Sequence, residues 1–186
     1  MANTRSPIRI EEAFSMIEVI HAHPASLSHG RPAPAEAQPA LHPDRMRLLA
    51  RQFADEPAYR HVGLCLEDLA RGRCQASARI VPALLHHRGA VQGGIVAMVA
   101  DATAGYAALT LIDGGAGQEG DDMATLEFKT SFLLPAAGDT IRCVAQVVSH
   151  SKSIAFFDAQ VYVVERGETR LCAQASLTFK RLRPRR

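Results

Sequence analysis

The chain has 186 residues, 47% of them hydrophobic and 22% charged, with a formal net charge of +2. That is enough chain for one domain with a proper core plus extensions, and the near-neutral balance gives no global pull toward nucleic acid or an acidic partner. Cys65, Cys74, Cys143 and Cys172 lie far apart, with no CxxC or CxxH spacing, which argues against zinc or redox work and for a reducing, cytoplasmic compartment.

The N-terminus lacks the plan of a secretory signal: acids interrupt IEEAFSMIEVI (10–20) and no small-residue cleavage site follows. Residues 1–23 read as an extension, in which Ile10, Ala13, Phe14, Ile17 and Ile20 have the spacing of a short amphipathic helix. Residues 24–43 hold five of the ten prolines and read as a linker. A folded domain is expected over 44–183, followed by a basic tail end at 184–186. KRLRPRR (180–186) is read as a solvated terminus.

Within the domain, Asp44 is placed to cap a helix running to about Ala54, with Met46, Leu49 and Phe53 on one face. His61 to Leu69 reads as a strand and Arg71-Gly72 as a turn. Cys74, Ala76, Ala78 and Ile80 then alternate with polar residues, as a half-buried strand does. After Pro82 comes a nearly uncharged segment, predicted as a helix over Gly93–Leu109 buried on all sides. A polar loop at 113–122 leads into four more strands: Leu126–Phe132, Ile141–Val147, 153–164 and Leu171–Phe179. One helix amid hairpin-linked strands predicts an α+β fold, an antiparallel sheet wrapped around one central helix.

Gly93–Ile112 is long enough to span a bilayer. More than half of it is Gly, Ala, Thr or Asp, however, and Asp101 near its centre adds roughly 3 kcal/mol to insertion. No membrane association is expected. GAGQEG (115–120) matches the dinucleotide pattern GxGxxG, but no strand precedes it, no helix follows, and Glu119, Asp121 and Asp122 would repel a pyrophosphate. His86 and His87 are adjacent, which makes it hard for both to face one ion, and no carboxylate stands at ligand spacing. There is no GxSxG elbow and no cysteine in a catalytic frame.

Asp101 and the glycines remain. Gly93-Gly94 at a helix start leaves free N–H groups at the positive end of the dipole, able to hold the oxyanion of an acyl-transfer intermediate. Asp101, a carboxylate in an apolar segment, can serve as base or nucleophile. On the residues alone, a structural Asp bonded to a neighbouring strand explains it equally well. Eight residues of helix span about 12 Å, too far for both groups to reach one carbonyl. If they act together, Gly93 of one subunit meets Asp101 of another across a twofold axis.

The stretch HHRGAVQGGIVAMVAD (86–101) resembles that of hotdog-fold thioesterases of the phenylacetate-degradation (PaaI-like) type. Their Asn-x-x-Gly-x-x-His-Gly-Gly, with Asp seven residues later, falls on His86, Gly89, Gln92, Gly93, Gly94 and Asp101. The similarity continues through TLEFKTSFLLPAAGDTIRCVAQVVSHSKSIAFFDAQVY and covers roughly 44–182. It implies a hotdog fold, a homodimer that pairs into a homotetramer, and hydrolysis of acyl-CoA without metal or cofactor. It further implies Asp101 as base or nucleophile, Gly93 N–H polarising the thioester carbonyl, and Thr125 beside the carboxylate orienting water. His86, Gly89, Gln92 and Gly94 fall at the family's remaining polar and glycine positions. Two departures stand out: His86 takes the place of Asn, with a charge that depends on pH, and Gln92 takes that of His, keeping an amide donor. They favour, as the alternative, a non-catalytic acyl-CoA-binding protein on the same fold. The Asp and His arrangement of hotdog hydratases does not occur in 86–101.

Overall fold

A computed structural model describes residues 40–113 and 120–183. The segments read above as an N-terminal helix (8–21), most of the linker, most of GAGQEG and the tail end at 184–186 lie outside the described residues.

Helix α1 (Pro43–Asp55) starts one residue before the expected Asp44, and its cap is His42, whose Nδ1 accepts the Asp44 N–H at 3.3 Å. Pro43 suits the first turn because its missing N–H is an orphan there anyway. Asp44 instead sits in that turn, where a negative charge opposes the helix dipole. The strand expected from His61 begins later. Pro57–Val62 forms a short helix, α2, closed by Gly63 in the left-handed region at φ 69°, a conformation that glycine adopts without a Cβ penalty.

From there the chain alternates as its pattern dictates. β1 (Leu64–Ala70) and β2 (Arg73–Arg79) form a hairpin through Gly72. This glycine has φ 69°, and a Cβ there would lie 2.5 Å from the Val147 side chain. A 3-10 turn (Pro82–Leu84) leads to α3, which spans the predicted Gly93–Leu109. Four strands follow: β3 (Asp122–Phe132), β4 (Thr140–His150), β5 (Ile154–Glu165) and β6 (Glu168–Leu182). All pairs are antiparallel, and the six strands lie in the order β1-β2-β4-β5-β6-β3. This is the antiparallel sheet around one central helix of the hotdog fold.

The helix can sit deep in the sheet because both surfaces are lined with small residues. Ala100, Ala104, Ala107 and Ala108 of α3 are buried, as are Ala76, Cys143, Ala145, Ala159, Ala173 and Ala175 of the strands. Phe157 and Phe179, packed edge to face at 5.6 Å, fill space that small side chains leave. The end of α3 is tied to the β1–β2 turn by Thr110, whose hydroxyl accepts the Gly72 N–H at 2.7 Å and donates to the Ala107 carbonyl. Among the described residues no helix is long and apolar enough to cross a membrane.

One expectation is corrected. α3 is not buried on all sides: Ala97, Met98, Asp101 and Gly105 are half-buried and Gly94 is exposed. These positions recur every three or four residues, so they form one stripe along the helix. The stripe borders β3, which is an edge strand. On β3, Leu126, Phe128 and Phe132 remain exposed although their alternation anticipates a covered face.

Candidate active site

Asp101 is the charged member of that open stripe, half-buried on the third turn of α3. Its partner comes from β3: Thr125 Oγ1 donates to Asp101 Oδ1 at 2.8 Å. The bond joins residues 24 apart, and two features aim Thr125 at the helix. It pairs with Phe179, whose side chain is buried on the inner face, and a bulge follows it between Thr125 and Glu127. The start of β3 is also anchored by Asp121, whose side chain is almost fully buried against Arg181 of β6, with Oδ2 2.7 Å from the guanidinium. Arg181 Nε and Nη2 both reach that one oxygen, and a buried carboxylate held in this way fixes geometry more than it adds stability.

Behind the carboxylate, Phe53 of α1, Tyr59 of α2 and Tyr106 of α3 form an aromatic cluster with centroids 4.8–6.0 Å apart. Burial, together with the negative charges of Glu56 and Asp101, pushes the Tyr59 phenol up to about 12. Burial also raises the Tyr106 phenol. Both rings are therefore neutral near pH 7. Their assembly from three helices escaped sequence reasoning, since neither tyrosine belongs to a local pattern. A cavity of about 620 Å³ lies beside them, lined by α1, the C-terminal half of α3 and the Asp121–Asp122 start of β3.

The other expected residues gather at the opposite end of α3. Gln92 is its N-cap, exposed, and its side chain makes no capping bond. The Gln92 carbonyl accepts from Ile95 and Val96, and the Gly93 and Gly94 amides have no acceptor among the described residues. They are the orphan donors that a helix start leaves. Gly94 has open space where a side chain would stand, whereas the Gly93 position faces the Phe132 ring, 3.4 Å from an added Cβ. Phe132 was not singled out in the sequence, and only its apolar type on a predicted strand was there to be read.

His86 and Gly89 shape the turn before the helix. The His86 carbonyl accepts from the Gly89 N–H, and its own N–H donates to the Ala90 carbonyl. Gly89 supplies φ 82°. His86 Nδ1 accepts the Arg88 N–H at 3.0 Å, which leaves the ring proton on Nε2. An asparagine in this place offers the same pair of functions, a side-chain oxygen accepting from the backbone two residues on and an N–H donor beyond it. The His-for-Asn departure therefore preserves the turn chemistry.

The structure thus joins Asp101 to Thr125 and groups His86, Gly89, Gln92, Gly93 and Gly94. Within one chain the two groups stay apart, since Gly93 and Asp101 lie eight residues apart on one helix, about 12 Å.

Comparison with known proteins bears on this arrangement. Residues 88–170 match the family model of the Thioesterase superfamily. A thioesterase family protein from Silicibacter pomeroyi is 29% identical, with a TM-score of 0.70, covering 75% of this chain and 99% of that one. The PaaI protein of the E. coli phenylacetic acid degradation operon is 18% identical, with a TM-score of 0.64 over 76% and 96% of the two chains. A thioesterase from Haemophilus influenzae is 18% identical, with a TM-score of 0.61 over 71% and 87%. At 18% identity these last two speak for the fold alone. No curated protein matches the chain. Residues 88–170 thus match the Thioesterase superfamily model, and the domain shares the fold of the PaaI protein.

Proposed function

We propose that this protein hydrolyses acyl-CoA thioesters to the free acid and coenzyme A. The observation that carries the reading is that Asp101, held by Thr125 at 2.8 Å, stays only half-buried on the open stripe of the central helix, an access that a purely structural carboxylate does not need. A carboxylate that is half-buried but reachable can act as general base on water or as nucleophile. A hydroxyl donating to one of its oxygens orients it and leaves the other free to act. The paired departures at His86 and Gln92 do not bear on this pair, so hydrolysis is preferred to binding alone.

The carbonyl oxygen is assigned to the Gly93 N–H, where a free donor at a helix N-terminus stabilises developing negative charge. His86 Nε2–H and the Gln92 amide are assigned to the polar approach, and Gly94 and Gly89 to the close backbone passage beside it. Because about 12 Å of helix separates Gly93 from Asp101, the working site combines Gly93 of one subunit with Asp101 of its partner in a homodimer. The exposed β3 edge and its apolar residues support that assembly.

The test is thiol release from a panel of acyl-CoAs by the wild type and by Asp101→Asn. The near-isosteric amide keeps the fold, and the rate is expected to fall by about 10² or more, in the range of acid–base loss. Asn activity within threefold of wild type removes Asp101 from the mechanism.

A further inference from the structure

We infer that Phe132 determines the specificity of this site: its ring limits the bulk an acyl group can carry on the carbon next to the thioester carbonyl. The inference rests on the hydrolase reading above and extends it to the substrate. Phe132 pairs across the sheet with Ala173, two residues from Ala175 and its partner Thr130, and all of these belong to the inner face. From that face the ring leans onto the start of α3, with three of its atoms 3.4, 3.6 and 4.0 Å from a Cβ placed on Gly93. At Gly94 the same test meets nothing within 4 Å. The N-terminus of α3 therefore has an aromatic wall on one side and an open approach on the other.

A carbonyl oxygen accepting from the Gly93 N–H sits about 2.9 Å from that nitrogen. With the ring 3.4 Å from the Gly93 Cβ position, we place one of the two substituents of that carbonyl carbon against it. One substituent is sulfur followed by an unbranched methylene, the same in every CoA ester. The other is the acyl α-carbon, and it alone varies between substrates. A rigid ring in contact with it admits a methylene and crowds a branch. One carbon of misfit in an apolar pocket is commonly worth tenfold or more in discrimination.

The experiment compares butanoyl-CoA with its branched isomer 2-methylpropanoyl-CoA across wild type, Phe132→Leu, Phe132→Ala and Phe132→Trp, reading the ratio of kcat/KM for each enzyme. The linear-to-branched ratio is expected to exceed one in the wild type, to fall about tenfold in the Leu and Ala variants, and to rise in the Trp variant. A role confined to packing lowers both rates together and leaves the ratio in place. A ratio constant within threefold across the series overturns the inference. Dissociation constants of the matching ketone analogues, with –CO–CH2–S– in place of –CO–S–, read the same discrimination without turnover. If the wild type cleaves no ester, the hydrolase reading falls and the ketone ratios still decide the role of Phe132.

Discussion

β5 and β3 are strands of similar length that both alternate apolar and polar residues, yet they end in opposite situations. In β5, Ala155, Phe157, Ala159, Val161 and Val163 are all buried against the central helix, and the residues between them face outward. β3 directs Phe128 and Phe132 to the same inner side, where their partners Leu177 and Ala173 are buried, but the two rings remain 45% and 51% exposed. Leu126 at its bulge is 56% exposed. The difference is one of place: β5 has a strand on each side, whereas β3 ends the sheet, and it lacks the packing by α1 that the other end strand, β1, receives. The chain completes its own core and leaves the strand that carries Thr125 and Phe132 open. An open apolar edge invites pairing, and a second copy offers a self-complementary match across a twofold axis.

A charge placed on each strand breaks this comparison most severely. Phe128→Lys is expected to prevent dimerisation and to lower activity by two orders of magnitude or more, because each site then lacks its second half. Phe156→Lys, on the exposed outer side of β5, is expected to leave both assembly and activity within twofold. Sedimentation velocity alongside thiol release checks both variants; a monomeric Phe128→Lys with full activity means that the edge has no part in the site.

A smaller effect is expected at Thr125. Valine has the same shape and lacks the hydroxyl, so Thr125→Val loses one hydrogen bond to a charged group, a contribution of roughly 1.5–3 kcal/mol. The rate should fall by about ten- to a hundredfold, with Thr125→Ser retaining most of it. Equal rates for Val and wild type mean that the bond orients nothing the reaction uses.

How much of this was legible in sequence varies along the chain for physical reasons. The bounds of α3 could be read from the low charge and the Gly93-Gly94 start, and β2, β4, β5 and β6 from strict alternation, since each buries its apolar side within the same chain. α2 was missed because six residues give less than two turns of periodicity, although Pro57 and Gly63 mark its ends. The exposure of β3 was hidden for a different reason. Alternation reports that one face wants cover, and it does not report whether the cover comes from the same chain. The approach of Phe132 to Gly93 and the Phe53–Tyr59–Tyr106 cluster are products of tertiary packing, without a local signature.

The smallest expected effect contrasts interior with surface through the thiols. Cys74, Cys143 and Cys172 are buried and Cys65 is exposed. Burial pushes the Cys143 thiol up to about 12 and that of Cys172 to about 11, and it raises Cys74 as well. Raised values keep these groups protonated at pH 8, and the thiolate is the reactive form. Alkylation of the native protein at pH 8 should modify Cys65 alone, without loss of activity, and denaturation should release the other three. Rapid labelling of Cys143 in the folded protein contradicts the packing described for the core.

Subunit complementation tests the shared site most directly. Gly93→Pro deletes the assigned N–H at a first helical position, where proline is tolerated and Gln92 before it is already extended at ψ 131°. Homodimers of Gly93→Pro and of Asp101→Asn should each be inactive. In a heterodimer, one of the two sites joins the intact Gly93 of the Asp101→Asn chain to the intact Asp101 of the other. Random reassortment of an equal mixture should therefore restore about a quarter of the wild-type activity. Complete subunit exchange, verified by native mass spectrometry, with no recovery of activity would contradict a site built from two chains.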